Sequence, residues 1–174
     1  MPRDEDVAAA VHAPIDAALE RDGERWTLVL RRQFRHDAKR LWEMLVDPAR
    51  LATWSPIVPD RPLTSVGPAT CRENPGDEPN DAEVLLVDPP HLLVHRWGTD
   101  LLRWTVTPAD DGAVLELRQT FDDRSSAPMT AAGWQVCLGV LAAGDGTGRE
   151  RATGRQARDY DWDDLRERYA AAWR

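Results

Sequence analysis

The sequence is poor in lysine, cysteine and the smaller aromatic residues. Its 174 residues include one Lys (Lys39), two Cys, two Phe and two Tyr. Cys71 and Cys137 form no C-x-x-C pair, so we expect free thiols in a reducing cytoplasm. No apolar run approaches the ~20 residues that cross a bilayer, and the acidic N-terminus does not resemble a secretory signal. We therefore expect a cytoplasmic protein without membrane insertion.

Positive charge and the common cofactor motifs are also scarce. A formal net charge of -8 disfavours nucleic acid and anionic membrane surfaces as partners. No G-x-S-x-G, P-loop or G-x-G-x-x-G motif occurs, and the segment Gly144–Gly148 lacks the Lys of a phosphate loop. His12, His36 and His91 have no metal-like spacing with Cys or acidic residues. We therefore expect no metal and no cofactor.

Tryptophan, in contrast, is abundant. Eight Trp stand in a chain with 42% hydrophobic and 30% charged residues, a globular composition that fits one domain. An indole has a large apolar body and one N–H donor, so it suits both protein cores and ligand pockets.

The first half of the sequence predicts a strand followed by a bent helical segment. Alternating apolar residues predict a strand over Glu24–Arg35. An amphipathic helix follows, with Asp37 as its N-cap. Asp47 and Pro48 begin a second, short helical turn that reaches Trp54. Before the strand, we expect a polar lead-in with a short helix over Ile15–Glu20.

The second half predicts an antiparallel meander and then helices. The predicted strands, separated by turn residues, are Leu63–Glu73, Val84–Val87, Leu92–Trp97, Leu101–Thr107 and Val114–Phe121. A very apolar helix begins near Ser125–Pro128, and we expect Gly139 and the Gly-rich segment after it to shorten this helix. Gly144–Gly154 is typical of a flexible loop, and Asp161 is the predicted cap of a terminal amphipathic helix. Grouped strands and separate helices indicate an α+β fold.

Three ordered motifs resemble the START-like (SRPBCC, helix-grip) superfamily, in the bacterial branch named for homologues of the heat-shock-protein ATPase activator. The motifs are KRLWEMLVDPARLATW at 39–54, VDPPHLL at 87–93 with Trp97-Gly98 and LRW at 102–104, and AAGWQVCL at 131–138. The resemblance covers roughly Trp26 to Gly146. It implies a curved antiparallel sheet wrapped around a long C-terminal helix, with a cavity between them.

The resemblance also implies a division of the chain and a class of function. We expect a partly mobile lead-in at 1–22, a START-like ligand-binding domain at 23–144, and a Gly-rich loop with a terminal helix packing on the domain at 145–174. The predicted function is binding of a small hydrophobic or amphipathic molecule, as carrier or sensor. Alternatives are an enzyme acting on a hydrophobic substrate, such as a cyclase or hydrolase, and a protein-interaction module such as a chaperone ATPase co-factor in a stress response. The sequence leaves a homodimer open.

Two titratable or charged residues fall on apolar strand faces. Arg32 shares a face with Leu30 and Phe34, so it either clamps an acidic group of a ligand or pairs with an Asp or Glu of the protein. His95 shares a face with Leu93 and Trp97. It is either an acid or base in a pocket or a hydrogen-bonded His of the sheet.

Further candidates are amides and large apolar side chains. Gln119 and Gln135 could complete a polar set with Arg32 and His95. Gln135 stands where the family often has His, and a Gln cannot titrate, which lowers the odds of catalysis. The candidate pocket-lining residues, each with ordinary core packing as the alternative, are Trp54, Trp97, Trp104, Trp134 and Leu138. Trp54 precedes a Pro-rich loop and is the candidate lid.

Overall fold

The computed structural model describes residues 4–174, and this part of the chain forms two antiparallel sheets, six α-helices and a short 3-10 helix at Arg124–Ser126. The strands are, in chain order, β1 (Asp16–Asp22), β2 (Arg25–Phe34), β3 (Val58–Pro59), β4 (Thr70–Arg72), β5 (Asn80–Asp81), β6 (Val84–Asp88), β7 (Leu92–Trp97), β8 (Asp100–Ala109) and β9 (Gly112–Phe121). The helices are α1 (Glu5–Val11), α2 (Ala38–Val46), α3 (Pro48–Leu51), α4 (Ala127–Ala143), α5 (Arg155–Arg158) and α6 (Trp162–Ala172).

The main sheet has six antiparallel strands in the order β1-β2-β9-β8-β7-β6, and these strands do not close into a barrel. At the β6 edge, Val84 forms an isolated antiparallel bridge with Gly67. Strands β3, β4 and β5 form a small second sheet. Alternate side chains of β2 and β9, including Leu28, Leu30, Leu115 and Leu117, are buried on the face that carries α4. The expected α+β architecture, with one antiparallel sheet and one long helix, is confirmed.

The bent helical segment between β2 and β3 follows the predicted capping residues. The Asp37 carboxylate accepts a hydrogen bond from the Arg40 N–H at 2.8 Å and so caps α2. The Asp47 carboxylate accepts from the Ala49 N–H at 3.0 Å, and Pro48 occupies the first turn of α3. A proline cannot continue α2 but fits the start of α3, so the helix bends at Asp47.

Helix α4 is apolar nearly all round, and protein covers both of its sides. The sheet lies against one side, while α1 and α6 pack on the other. A helix with no polar face is stable only when it is buried on every side. The sheet therefore covers only one side of α4, and α1 and α6 form a third layer on the other.

Gly139 does not shorten α4, which runs on to Ala143. A Cβ at Gly139 would lie 2.5 Å from Cγ2 and 2.8 Å from Cα of Val11. Gly139 therefore lets the backbone of α1 approach α4 closely.

The predicted short helix over Ile15–Glu20 is wrong. These residues belong largely to strand β1, which pairs antiparallel with β2 in a register that sets Leu19 opposite Leu28. Pairing with the free edge of β2 satisfies the backbone groups of this segment, and tertiary pairing outweighs weak helix propensity. The predicted strand over Leu63–Glu73 is also too long, because only Thr70–Arg72 pair in β4. The division of the chain at residues 22 and 144 stays a prediction.

The terminal helix α6 turns its aromatic side chains toward the protein. Trp162, Tyr169 and Trp173 are partly buried against the core, and the rings of Tyr169 and Trp173 stack at 5.0 Å. Asp161 occupies the predicted N-cap position, but its side chain makes no capping bond to α6. Its carboxylate instead lies 2.8 Å from Nε2 of His12, at the end of α1.

Candidate functional site

Four indoles fill the space between the sheet, α3 and α4. We call Trp54, Trp97, Trp104 and Trp134 the indole cluster. Ring centroids lie 6.0 Å apart for Trp54 and Trp104, 5.3 Å for Trp104 and Trp134, and 6.1 Å for Trp97 and Trp134. The void of about 10 Å³ beside this cluster offers little room even for one water. The deepest part of the fold is therefore packed.

Trp54 belongs to this packed core, which contradicts its predicted role as a lid. Its side chain is fully buried, and its indole N–H donates to the Met44 carbonyl at 2.9 Å. A side chain that is enclosed and hydrogen-bonded to a helix backbone cannot cover an opening. Leu138 is likewise buried in the core.

His95 is held neutral inside the sheet. Its Nε2 accepts the indole N–H of Trp104 at 3.0 Å, since that group can only donate. The proton of the ring therefore sits on Nδ1, which lies 3.0 Å from the Arg96 carbonyl. Burial lowers the pKa of His95 to about 4, partly offset by the bond to Arg96. These contacts fit the structural alternative and leave the ring no free nitrogen for acid or base chemistry.

Arg32 and Gln135 support α1, at a distance from the other polar candidates. The Arg32 guanidinium donates to the Ala10 carbonyl at 2.7 Å and lies over the Phe34 ring at 5.2 Å. A cation at the carboxyl end of a helix interacts favourably with the helix dipole. Burial lowers the pKa of Arg32.

Gln135 links the two helices that cover α4. Its amide donates to the Val11 carbonyl at 2.9 Å and accepts from the Tyr169 hydroxyl at 2.5 Å. Burial raises the pKa of Tyr169 to about 12, so this hydroxyl stays protonated as a donor. The predicted polar set of Arg32, His95, Gln119 and Gln135 does not converge.

Gln119 connects the indole cluster to a carboxylate. The Trp134 indole N–H donates to Gln119 Oε1 at 2.6 Å, and Gln119 Nε2 donates to Asp100 Oδ2 at 2.9 Å. Asp100 stands opposite Trp97 in the β7–β8 pairing, so both side chains lie on the concave face of the sheet. Asp100 alternates with Leu102 and Trp104 along the strand, and this spacing predicts the same face for its side chain. The turn residues of the sequence instead place Asp100 in the hairpin turn.

A cleft of about 1240 Å³ opens beside this network. Its walls are the β7–β8 hairpin, the first turns of α4, the segment from Ala152 to Arg158 and Trp162. Of the predicted site residues, Trp97, Gln119 and Trp134 line it; Asp100, Met129 and Trp162 were missed. Met129 also lines the cleft and is 51% exposed, so its side chain offers apolar surface there.

The outer wall of the cleft is held by the side chain of Arg151. Arg151 donates to the carbonyls of Ser55 and Pro56, at 3.3 and 3.1 Å, and to that of Glu73. These bonds join the segment after α4 to the loop after α3 and to the end of β4. The Gly-rich region predicted as a loop is thus part of the cleft.

The described residues contain no group of three or more His, Cys, Asp or Glu that could hold a metal ion. Both cysteines are buried free thiols, and burial raises the pKa of Cys71 to about 11 and that of Cys137 to about 12. Such thiols are poor nucleophiles because the thiolate is disfavoured. Within residues 4–174, no helix is long and apolar enough to span a membrane.

The family described as activator of Hsp90 ATPase homolog 1-like protein matches residues 35–144, which is more than half of the chain. The chain belongs to this family. The resemblance inferred from the three sequence motifs is thereby confirmed. No curated protein matches the chain.

Solved structures share the fold of this AHSA1-like chain. The crystal structure of CalU16 from Micromonospora echinospora has a TM-score of 0.69 and 18% identity, covering 91% of this chain and 97% of that one. A conserved protein of unknown function from Enterococcus faecalis has a TM-score of 0.70 and 10% identity, covering 97% and 95%. DynU16, described as a protein in the dynemicin biosynthetic locus, has a TM-score of 0.59 and 26% identity, covering 67% and 45%. The helix-grip fold is confirmed.

The AHSA1-like match ends at residue 144, before the outer wall of the cleft begins. The inner wall, with Trp97, Asp100, Gln119 and Trp134, lies within the matched region. The outer wall, with the segment from Ala152 to Arg158 and Trp162, lies beyond it. The cleft therefore has one wall inside the matched region and one wall outside it.

Proposed function

We propose that this AHSA1-like protein binds a small amphipathic molecule in the cleft and acts as a carrier or sensor in the cytoplasm. The observation that carries the proposal is the cleft itself, about 1240 Å³ in volume, with Trp97, Met129 and Trp162 beside Asp100 and Gln119. Large concave sites that combine apolar walls with a few polar groups are typical of small-molecule binding. The fold family is compatible with a hydrophobic ligand.

The cleft, rather than the space inside the indole cluster, is the proposed binding site. The indole cluster leaves only about 10 Å³ beside it, so a ligand there would have to displace packed Trp side chains. The cleft needs no such rearrangement. The proposed ligand-binding residues are therefore Trp97, Asp100, Gln119, Met129 and Trp162, with Trp134 behind them.

A first experiment identifies the ligand. The protein is purified from its own host and measured by native mass spectrometry, then denatured so that any released molecule can be identified. A bound amphipathic compound in stoichiometric amount supports the proposal. A clean apoprotein mass, together with no binding of the probe below, would remove it.

A second experiment places the ligand in the cleft. Isothermal titration with naphthylmethanol, a neutral apolar probe, compares the parent with Trp162→Ala. We expect the affinity to fall about tenfold or more, because removing a buried indole contact costs more than about 1.4 kcal/mol. Trp173→Ala is the matched control, since this indole is on the same terminal segment but does not line the cleft. Equal affinities of the two variants would contradict the placement.

An enzyme acting on a hydrophobic substrate is the second candidate. Asp100 favours it, because its carboxylate faces the cleft and could accept a proton. DynU16, 26% identical over 67% of this chain, is described as a protein of a biosynthetic locus. Incubating the co-purified compound with fresh apoprotein tests this candidate: a change in its mass or retention time indicates turnover, and an unchanged compound supports the carrier.

A further inference from the structure

The hydrogen bonds between Trp134, Gln119 and Asp100 can run in only one direction. An indole N–H donates and never accepts, so the atom 2.6 Å away must be the carbonyl oxygen of Gln119. The amide nitrogen of Gln119 then points to Asp100 and donates to Oδ2 at 2.9 Å. The chain of bonds therefore ends on an acceptor. An ionised carboxylate suits this place, since it accepts on both oxygens.

The backbone around Asp100 is fixed by a second set of contacts. The guanidinium of Arg25 donates to the Thr99 carbonyl at 2.9 Å and to the Asp122 carboxylate at 2.7 Å. Thr99 and Asp100 follow the left-handed Gly98 in a tight hairpin turn. Asp100 Oδ1 accepts no bond from the described residues, so one oxygen of a positioned carboxylate is free to meet a ligand in the cleft.

The charges around the cleft agree with a positively charged partner for Asp100. Glu73 also lines the cleft and makes no ion pair among the described residues. Arg158 lies 3.8 Å from the Asp163 carboxylate, and Arg155 is on the exposed outer wall. Solvent screens the charge of an arginine on this exposed wall. Asp100, in contrast, lies beside the indole of Trp97. Indole faces attract cations.

From this geometry, and resting on the proposed function, we infer that the ligand carries a protonated amine. The ammonium group donates to Asp100 Oδ1 beside Trp97, and the apolar body of the ligand extends along Met129 toward Trp162. Gln119 and Trp134 act as positioning residues, because they hold the carboxylate without contacting the amine. An amphipathic amine satisfies both the carboxylate and the apolar walls, which a fatty acid or a neutral hydrocarbon does not.

Three probes of the same shape test this inference by isothermal titration with the full chain at neutral pH: naphthylmethylamine, naphthylmethanol and naphthoic acid. We expect the amine to bind about tenfold or more tightly than the alcohol, as a charge-assisted hydrogen bond allows, and the acid to bind most weakly. Asp100→Asn keeps an acceptor for Gln119 but removes the charge. It should bring the affinity for the amine to within about twofold of the affinity for the alcohol.

Arg155→Gln is the matched control, because it alters a charge on the outer wall of the same cleft. It should change the preference for the amine by no more than about twofold. Equal binding of amine and alcohol to the parent, or an amine preference that survives Asp100→Asn, would overturn the inference. In both cases the alcohol still binds, so the proposed function stands. If none of the three probes binds, both the inference and the proposed function fail.

Discussion

Protonation of His95 should control the acid stability of the protein. The folded state holds this ring neutral, with Nε2 occupied by the Trp104 N–H, and burial lowers its pKa from 6.5 to about 4. The unfolded chain has no such constraint, so it binds a proton near pH 6.5. Between these two values the unfolded state carries more protons than the folded state, and stability therefore falls as the pH is lowered.

The size of this loss of stability follows from the two pKa values of His95. At pH values above the pKa in the unfolded chain, His95 contributes its full stabilisation. Lowering the pH from about 7.5 to about 5 should remove about 2 kcal/mol of the free energy of unfolding through this one side chain. Acidic residues with lowered pKa, such as Asp123, lose stabilisation mainly below about pH 4, so they contribute little to this interval. A variant that lacks only the His95 ring is the direct test of its effect.

The variant His95→Gln isolates the effect of His95 on stability. Gln offers a carbonyl oxygen to the Trp104 N–H but does not titrate, so the carboxylates act equally in both proteins. We expect the variant to be less stable than the parent by about 1 kcal/mol at pH ~7.5, for the lost bond to Arg96, and to lose about 2 kcal/mol less on acidification.

Urea unfolding at both pH values, followed by the fluorescence of the Trp residues, measures this difference. The denaturant slope reports whether both proteins unfold from equally compact states. Parallel losses of stability in parent and variant would refute the reasoning, because they would mean that His95 is as easily protonated in the folded state as in the unfolded one.

Two more variants test the third layer over α4. Arg32→Ala removes the donor to the Ala10 carbonyl at the end of α1, so we expect a loss of about 1–3 kcal/mol in urea unfolding and unchanged binding of naphthoic acid. Weaker binding of naphthoic acid with stability retained would restore Arg32 as a clamp for an acidic ligand. Gly139→Ala should lower the melting temperature, because its Cβ would meet the Val11 backbone at 2.8 Å and overpacking costs about 1–3 kcal/mol, more than the ~1 kcal/mol that Ala gains over Gly in a helix. A raised melting temperature in circular dichroism would show that α1 does not pack against Gly139.

Local patterns in the sequence determined the elements and their buried faces. Asp37, Asp47 and Pro48 set the bend of the helical segment, because capping and a missing N–H act within a few residues. Alternation along β2 and β9 determined which side chains enter the core. Both signals depend only on neighbours in the chain, so they can be recognised without knowledge of the fold.

The partners of the polar candidates were decided by the tertiary structure. Arg32 and Gln135 donate to carbonyls of α1. Sequence periodicity predicts the strand or helix face on which each side chain lies, but it does not predict the carbonyl that each one meets. His95 meets Trp104 through strand pairing, and the register of that pairing depends on the whole sheet.

The cleft depended on the tertiary structure most of all. Gln119 joins Trp134 on α4 to Asp100 on β8, and Trp162 closes the space from α6, which is distant from both strands in the sequence. The sequence alone determined that the chain has an apolar helix, an apolar sheet face and surplus indoles. Which indoles pack together was decided by the packing of α4 against the sheet, and which border open space was decided by the position of the C-terminal segment, because burial is a property of the assembled layers and not of any single element.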